Sequence, residues 1–138
     1  MKVGFVCVQN AGRSQMATAF AERERRRRDD GEEIDIVTGG TRPAEHVHEE
    51  VLEAMGDLGF DLSDRTPREI THEELRTTDV VITMGCSARD VCPATWSGDS
   101  RDWDLDDPDG RTPDEVAVIR DEIEDRVEAL FDELLVEQ

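Results

Sequence analysis

The 138-residue chain has no tyrosine, a single lysine at Lys2, three cysteines and no long apolar run. No stretch approaches the roughly 18 consecutive apolar residues of a membrane-spanning helix, so we expect no membrane association. One lysine and a short apolar run are unlike a secretory signal peptide. Three cysteines are an odd count, unlike a disulfide framework. We therefore expect a cytoplasmic protein whose thiols are reduced at rest.

Acidic side chains dominate the composition. The 35 acidic residues outnumber the 16 basic ones, which gives a formal net charge of −19. Such a surface repels nucleic acid and anionic membranes, so neither is expected as a partner. The charge is typical of a halophilic protein, because the Debye length shrinks to ~3 Å at 1 M salt and acidic surfaces stay soluble. The length suits one domain, 1–138, and we expect a monomer.

Short apolar runs alternate with segments of helical periodicity. The pattern predicts strands over 2–8, 33–40, 79–85 and, as a short fourth, 103–105, and helices over 14–29, 44–60, 71–79 and 112–135. Strands that alternate with helices predict an α/β fold with a parallel sheet covered on both faces. Sites in such folds form beyond the carboxyl ends of strands, which is where Cys7 and the segment after Met84 fall.

The predicted helices carry further expectations. The charged run 22–30 is expected on a solvated helix face with pairs Glu22–Arg26 and Glu24–Arg28. Thr112 is expected to open the last helix in a capping box with Glu115. One face of the 44–60 helix is expected to pack inward through Val47, Val51, Leu52, Met55 and Leu58.

The segment CVQNAGRS, residues 7–14, joins the first predicted strand to the first predicted helix. Its backbone amides and the helix N-terminus can form a cradle for a tetrahedral oxyanion, in which Arg13 grips two oxygens through its planar fork. The same positive field favours the thiolate of Cys7, to which Ser14 can donate a hydrogen bond. We predict an oxyanion pocket with Cys7 as its nucleophile. The alternative is a buried core cysteine beside a surface arginine.

CVQNAGRSQMA, residues 7–17, resembles the phosphate-binding loop of the low-molecular-weight protein tyrosine phosphatases and of their relatives, the thioredoxin-coupled arsenate reductases. TMGCSARDVCP (83–93), WDLDDPDG (103–110) and VIRDEIEDRV (118–127) are similar to the reductase branch. The similarity covers nearly the whole chain. It implies a three-layer α-β-α domain with a four-stranded parallel sheet.

The resemblance also implies residue roles. Cys7 would be the nucleophile, Asp107 the general acid, and Cys86 and Cys92 the redox pair. No cofactor and no metal are expected, and the partners are an arsenate or phosphate oxyanion and thioredoxin or a similar dithiol. The oxyanion would be held by Val8, Gln9, Asn10, Ala11, Gly12, Arg13 and Ser14, with Arg13 as its clamp and Asn10 and Ser14 as loop supports.

Three thiols have a use in a reductase. Cys7 attacks arsenic, Cys86 attacks Cys7 and releases arsenite, and Cys92 then moves the disulfide to the surface for reduction by thioredoxin. A phosphatase needs one thiol and water, so hydrolysis of phosphotyrosine or aryl phosphates is the alternative. The chain lacks the tyrosine that phosphatases of the family place after Asp-Pro. An oxyanion-binding protein without turnover would need no nucleophile. Cys86 and Cys92 could also be ordinary buried residues or an incidental metal pair.

The sequence departs from the family at two places. Cys86 and Cys92 are six positions apart, one fewer than in the best-known reductases, so the relay loop differs. Thr18 and Arg68 stand where some members carry acidic potassium ligands, and the resemblance does not extend to that cation site.

Two other metal sites are not expected. The acidic run before Pro113 lacks the glycine of an EF-hand at Asp107 and the glutamate at Pro113. His46 and His48 lie two positions apart and cannot share one helix face.

Overall fold

A single parallel sheet forms the centre of the computed structural model, which describes residues 1–85 and 98–136. Its strands are β1 (Lys2–Cys7), β2 (Asp35–Gly40), β3 (Val80–Met84) and β4 (Asp99–Asp102), in the order β2-β1-β3-β4. All three pairings are parallel. The central strands β1 and β3 are rich in valine and isoleucine, as is typical of strands buried on both faces.

The helices lie on both faces of this sheet. Within the described residues they are α1 (Arg13–Arg27), α2 (Glu49–Gly56), α3 (His72–Arg76) and α4 (Pro113–Val136), with a 3₁₀ turn at Gly31–Glu33. One large apolar cluster joins α1, α2 and α4 to one face, with Phe5 and Phe20 fully buried in it. A smaller cluster on the other face contains Val6 and Leu75 of α3. The predicted three-layer α/β fold with a four-stranded parallel sheet is confirmed.

The fourth strand differs from the prediction. It lies at Asp99–Asp102, and residues 103–105 form no strand. Trp103 and Leu105 are instead buried in the core, and the Trp103 ring lies 6.0 Å from the Phe5 ring. The apolar residues of this segment mark a core contact, whereas the edge strand before it is polar and mostly exposed.

The second helix is shorter than predicted because its first residues bond to the Cys7 loop. Ala44 N–H donates to Gln9 O at 3.0 Å, and His48 N–H donates to Ala11 O at 2.9 Å. The helix therefore begins only at Glu49. Of its predicted inward face, Leu58 is 42% exposed beyond the helix end; the other four residues are buried or packed against the core.

The charged run of α1 is less solvated than predicted. Glu24 is buried and pairs with Arg28 at 3.0 Å, as expected, and also with Arg23 and Arg27. Glu22 pairs with Arg65 rather than with Arg26. Part of the face predicted to meet water thus packs against α4 on the same side of the sheet, through pairs such as Arg23–Glu124 and Arg28–Asp132.

The starts of the last two helices follow the sequence closely. Thr112 Oγ1 accepts from Glu115 N–H at 3.3 Å while the Glu115 carboxylate accepts from Thr112 N–H at 3.1 Å, so the predicted capping box is confirmed. The predicted helix at 71–79 is the short α3, which a second capping box begins at Thr71. In the two described ranges, no helix combines the length and apolar character needed to cross a membrane.

Candidate active site

The site is built where β1 ends and α1 begins. Cys7 is the last residue of β1, and its side chain is only 4% exposed. Its Sγ accepts the N–H of Asn10 at 3.1 Å and lies 2.8 Å from the Oγ of Ser14. The thiol predicted as nucleophile therefore has two polar partners from the loop that follows it.

Asn10 holds that loop in shape. Its φ is 53°, a left-handed conformation that asparagine tolerates better than most residues. Its Nδ2 donates to Ser14 Oγ at 2.8 Å and to Thr38 Oγ1 at 2.9 Å. Its Oδ1 accepts from the Arg68 backbone N–H at 3.0 Å and from Gln15 Nε2 at 3.2 Å. Every polar atom of the Asn10 side chain is thus bonded inside the protein.

A cavity of about 250 Å³ opens above Cys7. It brings together three residues that the sequence predicted for one site: Cys7, Arg13 and Asp107. Of the predicted oxyanion-binding segment, the lining includes Val8, Gln9, Gly12 and Arg13. The other three, Asn10, Ala11 and Ser14, are fully buried and lie behind the lining.

Arg13 is held between two segments. Its Nη1 donates to the Leu105 carbonyl at 2.9 Å, and its Nη2 lies 4.0 Å from Asp107 Oδ2. Gly85, with φ of 82°, follows β3 on the other side; a Cβ there would lie 2.5 Å from Arg13 Nη2. The guanidinium therefore fits only because position 85 carries no side chain.

Asp107 lies on the loop between β4 and α4. It is 62% exposed, and its Oδ1 accepts from Asp109 N–H at 3.0 Å. The next residue, Pro108, covers Gly12, where a Cβ would lie 3.1 Å from the proline Cγ. Gly12, predicted as part of the oxyanion-binding segment, thus also leaves room for the loop that carries Asp107.

His48 and Gly85 also line the cavity; neither was named as a site residue, although the segment after Met84 was expected at this edge of the sheet. His48 Nε2 lies 2.9 Å from Gln9 Oε1 across the mouth of the cavity. It also lies near Glu50 and Asp109, and within the described residues these three form a cluster whose ligand atoms lie within 4.8 Å of one another. From the sequence, His48 was considered only as a partner of His46. Residue spacing could not reveal a cluster that includes Asp109, because Asp109 lies on a distant loop.

The potassium site of some family members does not fit here. Thr18 Oγ1 donates to the Ser14 carbonyl, and Arg68 Nη1 donates to the Thr38 carbonyl at 2.6 Å. Both positions present hydrogen-bond donors, and one of them already carries a positive charge. Neither offers a carboxylate oxygen like those of the members that carry acidic potassium ligands there.

Cys86 and Cys92, the predicted redox pair, lie outside the described residues. Cys86 directly follows Gly85 in sequence, and Gly85 lines the cavity.

The chain is similar to known proteins of one enzyme family. The family described as low molecular weight phosphotyrosine protein phosphatase matches residues 2–138. A putative arsenate reductase of Halobacterium salinarum is 63% identical over 132 residues, which are 96% of this chain and 92% of the relative.

Two solved structures share the fold. A thioredoxin-dependent arsenate reductase of Corynebacterium glutamicum superposes with a TM-score of 0.80 and 34% identity; the match covers 99% of this chain but 63% of that chain. A low molecular weight phosphotyrosine phosphatase of Vibrio cholerae gives a TM-score of 0.81 at 21% identity, covering 98% of this chain and 97% of that chain. The second likeness concerns the fold alone.

Proposed function

The chain belongs to the low molecular weight phosphotyrosine protein phosphatase family, and we propose that within it the protein is a thioredoxin-coupled arsenate reductase. One observation carries the proposal. The cavity joins the Cys7 thiol, Arg13 and Asp107, and the two other cysteines of the chain, Cys86 and Cys92, follow the lining residue Gly85 in sequence. A hydrolase would use the first three groups alone.

Arsenate enters as a tetrahedral oxyanion. The N-terminus of α1 begins at Arg13, so its unpaired N–H groups and the guanidinium supply positive charge at the same point. The Nη1 of Arg13 donates to the Leu105 carbonyl, and this hydrogen bond orients the guanidinium before substrate binds. Two buried polar groups contact the Cys7 sulfur: Asn10 N–H donates to Sγ at 3.1 Å, and Ser14 Oγ lies 2.8 Å from it.

The first step forms a bond between Cys7 Sγ and arsenic and breaks one As–O bond. The departing group is an arsenate hydroxyl, which leaves as water after it takes one proton from Asp107, a lining residue on its own loop. Arsenic is still As(V) at this point, because the substitution transfers no electrons.

The second step reduces arsenic. The thiolate of Cys86 attacks Cys7 Sγ, the S–As bond breaks, and its electron pair stays on arsenic, which leaves as arsenite. The two thiols are oxidised together to a Cys7–Cys86 disulfide. Cys92 then attacks Cys86, which frees Cys7 and forms Cys86–Cys92, and the dithiol of thioredoxin reduces this last disulfide.

Phosphoester hydrolysis is the second candidate, since Cys7, Arg13, Asp107 and water suffice for it. The lining argues for a small substrate: among the described residues around the cavity, none carries a phenyl or indole ring for an aryl group to stack against. Aryl phosphates are therefore expected as slow substrates.

The setting follows from the same chemistry. A relay that must return to free thiols fits the reducing cytoplasm, where we place the protein. The net charge of −19 opposes any nucleic-acid partner.

The proposal is tested by a coupled assay. The purified protein is incubated with arsenate, thioredoxin, thioredoxin reductase and NADPH, and both NADPH loss and arsenite are measured; p-nitrophenyl phosphate hydrolysis is followed in parallel. We expect NADPH oxidation that requires arsenate and thioredoxin and that matches the arsenite formed. Hydrolysis of the aryl phosphate without any arsenite would favour the phosphatase.

A further inference from the structure

An ion pair lies behind the Cys7 loop, on the side away from the cavity. Arg68 Nη2 bonds to both carboxylate oxygens of Glu74, at 2.8 and 2.7 Å, and Nη1 donates to the Thr38 carbonyl. Burial alone would raise the pKa of Glu74, but the hydrogen bonds from Arg68 and Thr71 outweigh it and lower that pKa. Glu74 is therefore charged at neutral pH, and the pair fixes the guanidinium against β2 and α3.

The backbone of Arg68 is fixed as well. Its N–H donates to Asn10 Oδ1 at 3.0 Å, and its carbonyl accepts from Gly40 N–H at 2.9 Å. One residue thus connects α3, β2 and the loop that surrounds Cys7.

The hydrogen bond from Arg68 N–H to Asn10 fixes which way the Asn10 carboxamide faces. A carboxamide accepts at one end and donates at the other. Because Arg68 N–H and Gln15 Nε2 both donate to Oδ1, the Nδ2 end must face Ser14 Oγ and Thr38 Oγ1. Thr38 Oγ1 fits this orientation, since its own proton goes to the Phe5 carbonyl.

The orientation of the Asn10 carboxamide also determines which hydrogen bond Ser14 makes to Cys7. Ser14 Oγ accepts a proton from Asn10 Nδ2, so its own O–H is free to point at Cys7 Sγ, 2.8 Å away. If the carboxamide were reversed, its oxygen would face Ser14 and accept the hydrogen bond from the Ser14 hydroxyl. The Cys7 thiolate would then lose a hydrogen-bond donor. A donor stabilises the thiolate, whereas an oxygen lone pair facing it repels it.

We propose that Arg68, held by Glu74, is a positioning residue that sets the orientation of the Asn10 carboxamide and so makes the Ser14 hydroxyl a donor to the Cys7 thiolate. The inference rests on Cys7 as the nucleophile of the proposed function. It does not depend on which oxyanion Cys7 attacks, so the test reads Cys7 directly.

Three variants separate this role from general stability. Arg68→Met removes the fork but keeps most of the side-chain length. Glu74→Gln removes the charge that holds Arg68 and keeps a side chain suited to the capping box. Arg101→Met is the matched control, because Arg101 makes an equivalent paired contact with Glu133 at the opposite edge of the sheet, far from the Cys7 loop.

The measurement is the pH profile of iodoacetamide alkylation at Cys7, followed by mass spectrometry at constant ionic strength. Every variant carries Cys86→Ser and Cys92→Ser, so only one thiol reacts. The charged groups that face Cys7 across the cavity, Arg13, His48 and Asp107, are the same in all of them.

We expect the midpoint of the profile to rise by about half a unit to one unit in Arg68→Met, so that alkylation below the midpoint slows about 3- to 10-fold. Glu74→Gln should move it in the same direction by less, and Arg101→Met should match the parent. Thermal unfolding checks that each variant is folded. If Arg68→Met does not fold, the alkylation profile of Glu74→Gln tests the proposal instead. Profiles of the folded variants that coincide with the control would overturn the proposal, whether or not the protein reduces arsenate.

Discussion

The space next to Nη2 of Arg13 is left open by Gly85: a Cβ at position 85 would lie 2.5 Å from that nitrogen. The residue after β3 and the first residue of α1 therefore adjoin at the cavity, and each limits what the other can be. This relationship places the cavity between the carboxyl ends of β1 and β3, where ligands bind in open parallel sheets.

Gly85→Ala should displace the Arg13 guanidinium and strain the backbone, because φ at this position is 82°. Charge-assisted hydrogen bonds contribute about 1.5–3 kcal/mol, so we expect oxyanion affinity to fall about 10- to 100-fold, seen as weaker phosphate inhibition. Gly56→Ala is the control, since nothing lies within 4 Å of a Cβ there. Unchanged phosphate affinity in Gly85→Ala would contradict the fit described for Arg13.

Cys7→Ser should abolish both arsenate reduction and aryl phosphate hydrolysis. A serine hydroxyl is not ionised at neutral pH, whereas the thiolate is the nucleophile. Iodoacetamide should label Cys7 of the unmodified protein before the other thiols, and phosphate or arsenate should slow that labelling. A Cys7 that reacts slowly and without protection by either oxyanion would argue against the pocket.

Asp107→Asn should lower turnover about 10²- to 10⁴-fold, because an amide cannot deliver the proton that the departing oxygen needs. Phosphate inhibition should change little. Asp106→Asn is the matched control: Asp106 is exposed and, unlike its neighbour, does not line the cavity. Equal losses in the two variants would leave no special role for Asp107.

Salt should stabilise the protein. Raising it from ~0.01 M to 1 M shortens the Debye length from ~30 Å to ~3 Å and screens the self-repulsion of a chain with net charge −19. Screening also weakens exposed pairs such as Glu22–Arg65, but each contributes less than about 1 kcal/mol. We expect Tm to rise with KCl, most steeply at low salt, where the Debye length changes most. A Tm independent of salt would contradict the halophilic interpretation.

The buried parts of the fold could be predicted from the sequence, and the exposed edge could not. The three strands β1, β2 and β3 lie within two residues of their predicted ends. Strand β4 was missed because DSRD has no apolar alternation; its position is set by pairing with β3. The apolar Trp103 beside it gave a strand signal although its ring packs into the core.

The site residues also divide into those that could be predicted from the sequence and those that could not. Cys7 and Arg13 could be predicted because they lie on one loop whose chemistry is local. His48 and Gly85 join the lining only through long-range packing, and Gly85 gave no chemical signal because its contribution is the absence of a side chain. The role of Arg68 was invisible for a related reason, since its backbone N–H makes the contact with Asn10.

The central claim is that three thiols act in sequence, and a single-turnover experiment on Cys92→Ser tests it most directly. This variant should release one equivalent of arsenite and stop, because the relay cannot pass the disulfide on. Cys86→Ser should release none, while both variants keep aryl phosphate hydrolysis, which needs neither thiol.

Mass spectrometry of Cys92→Ser after that turnover gives the decisive result. The account predicts a trapped disulfide between the peptides that carry Cys7 and Cys86, lost on reduction and absent when phosphate replaces arsenate. Continued arsenite formation with thioredoxin in both Cys86→Ser and Cys92→Ser, with no such disulfide, would contradict it.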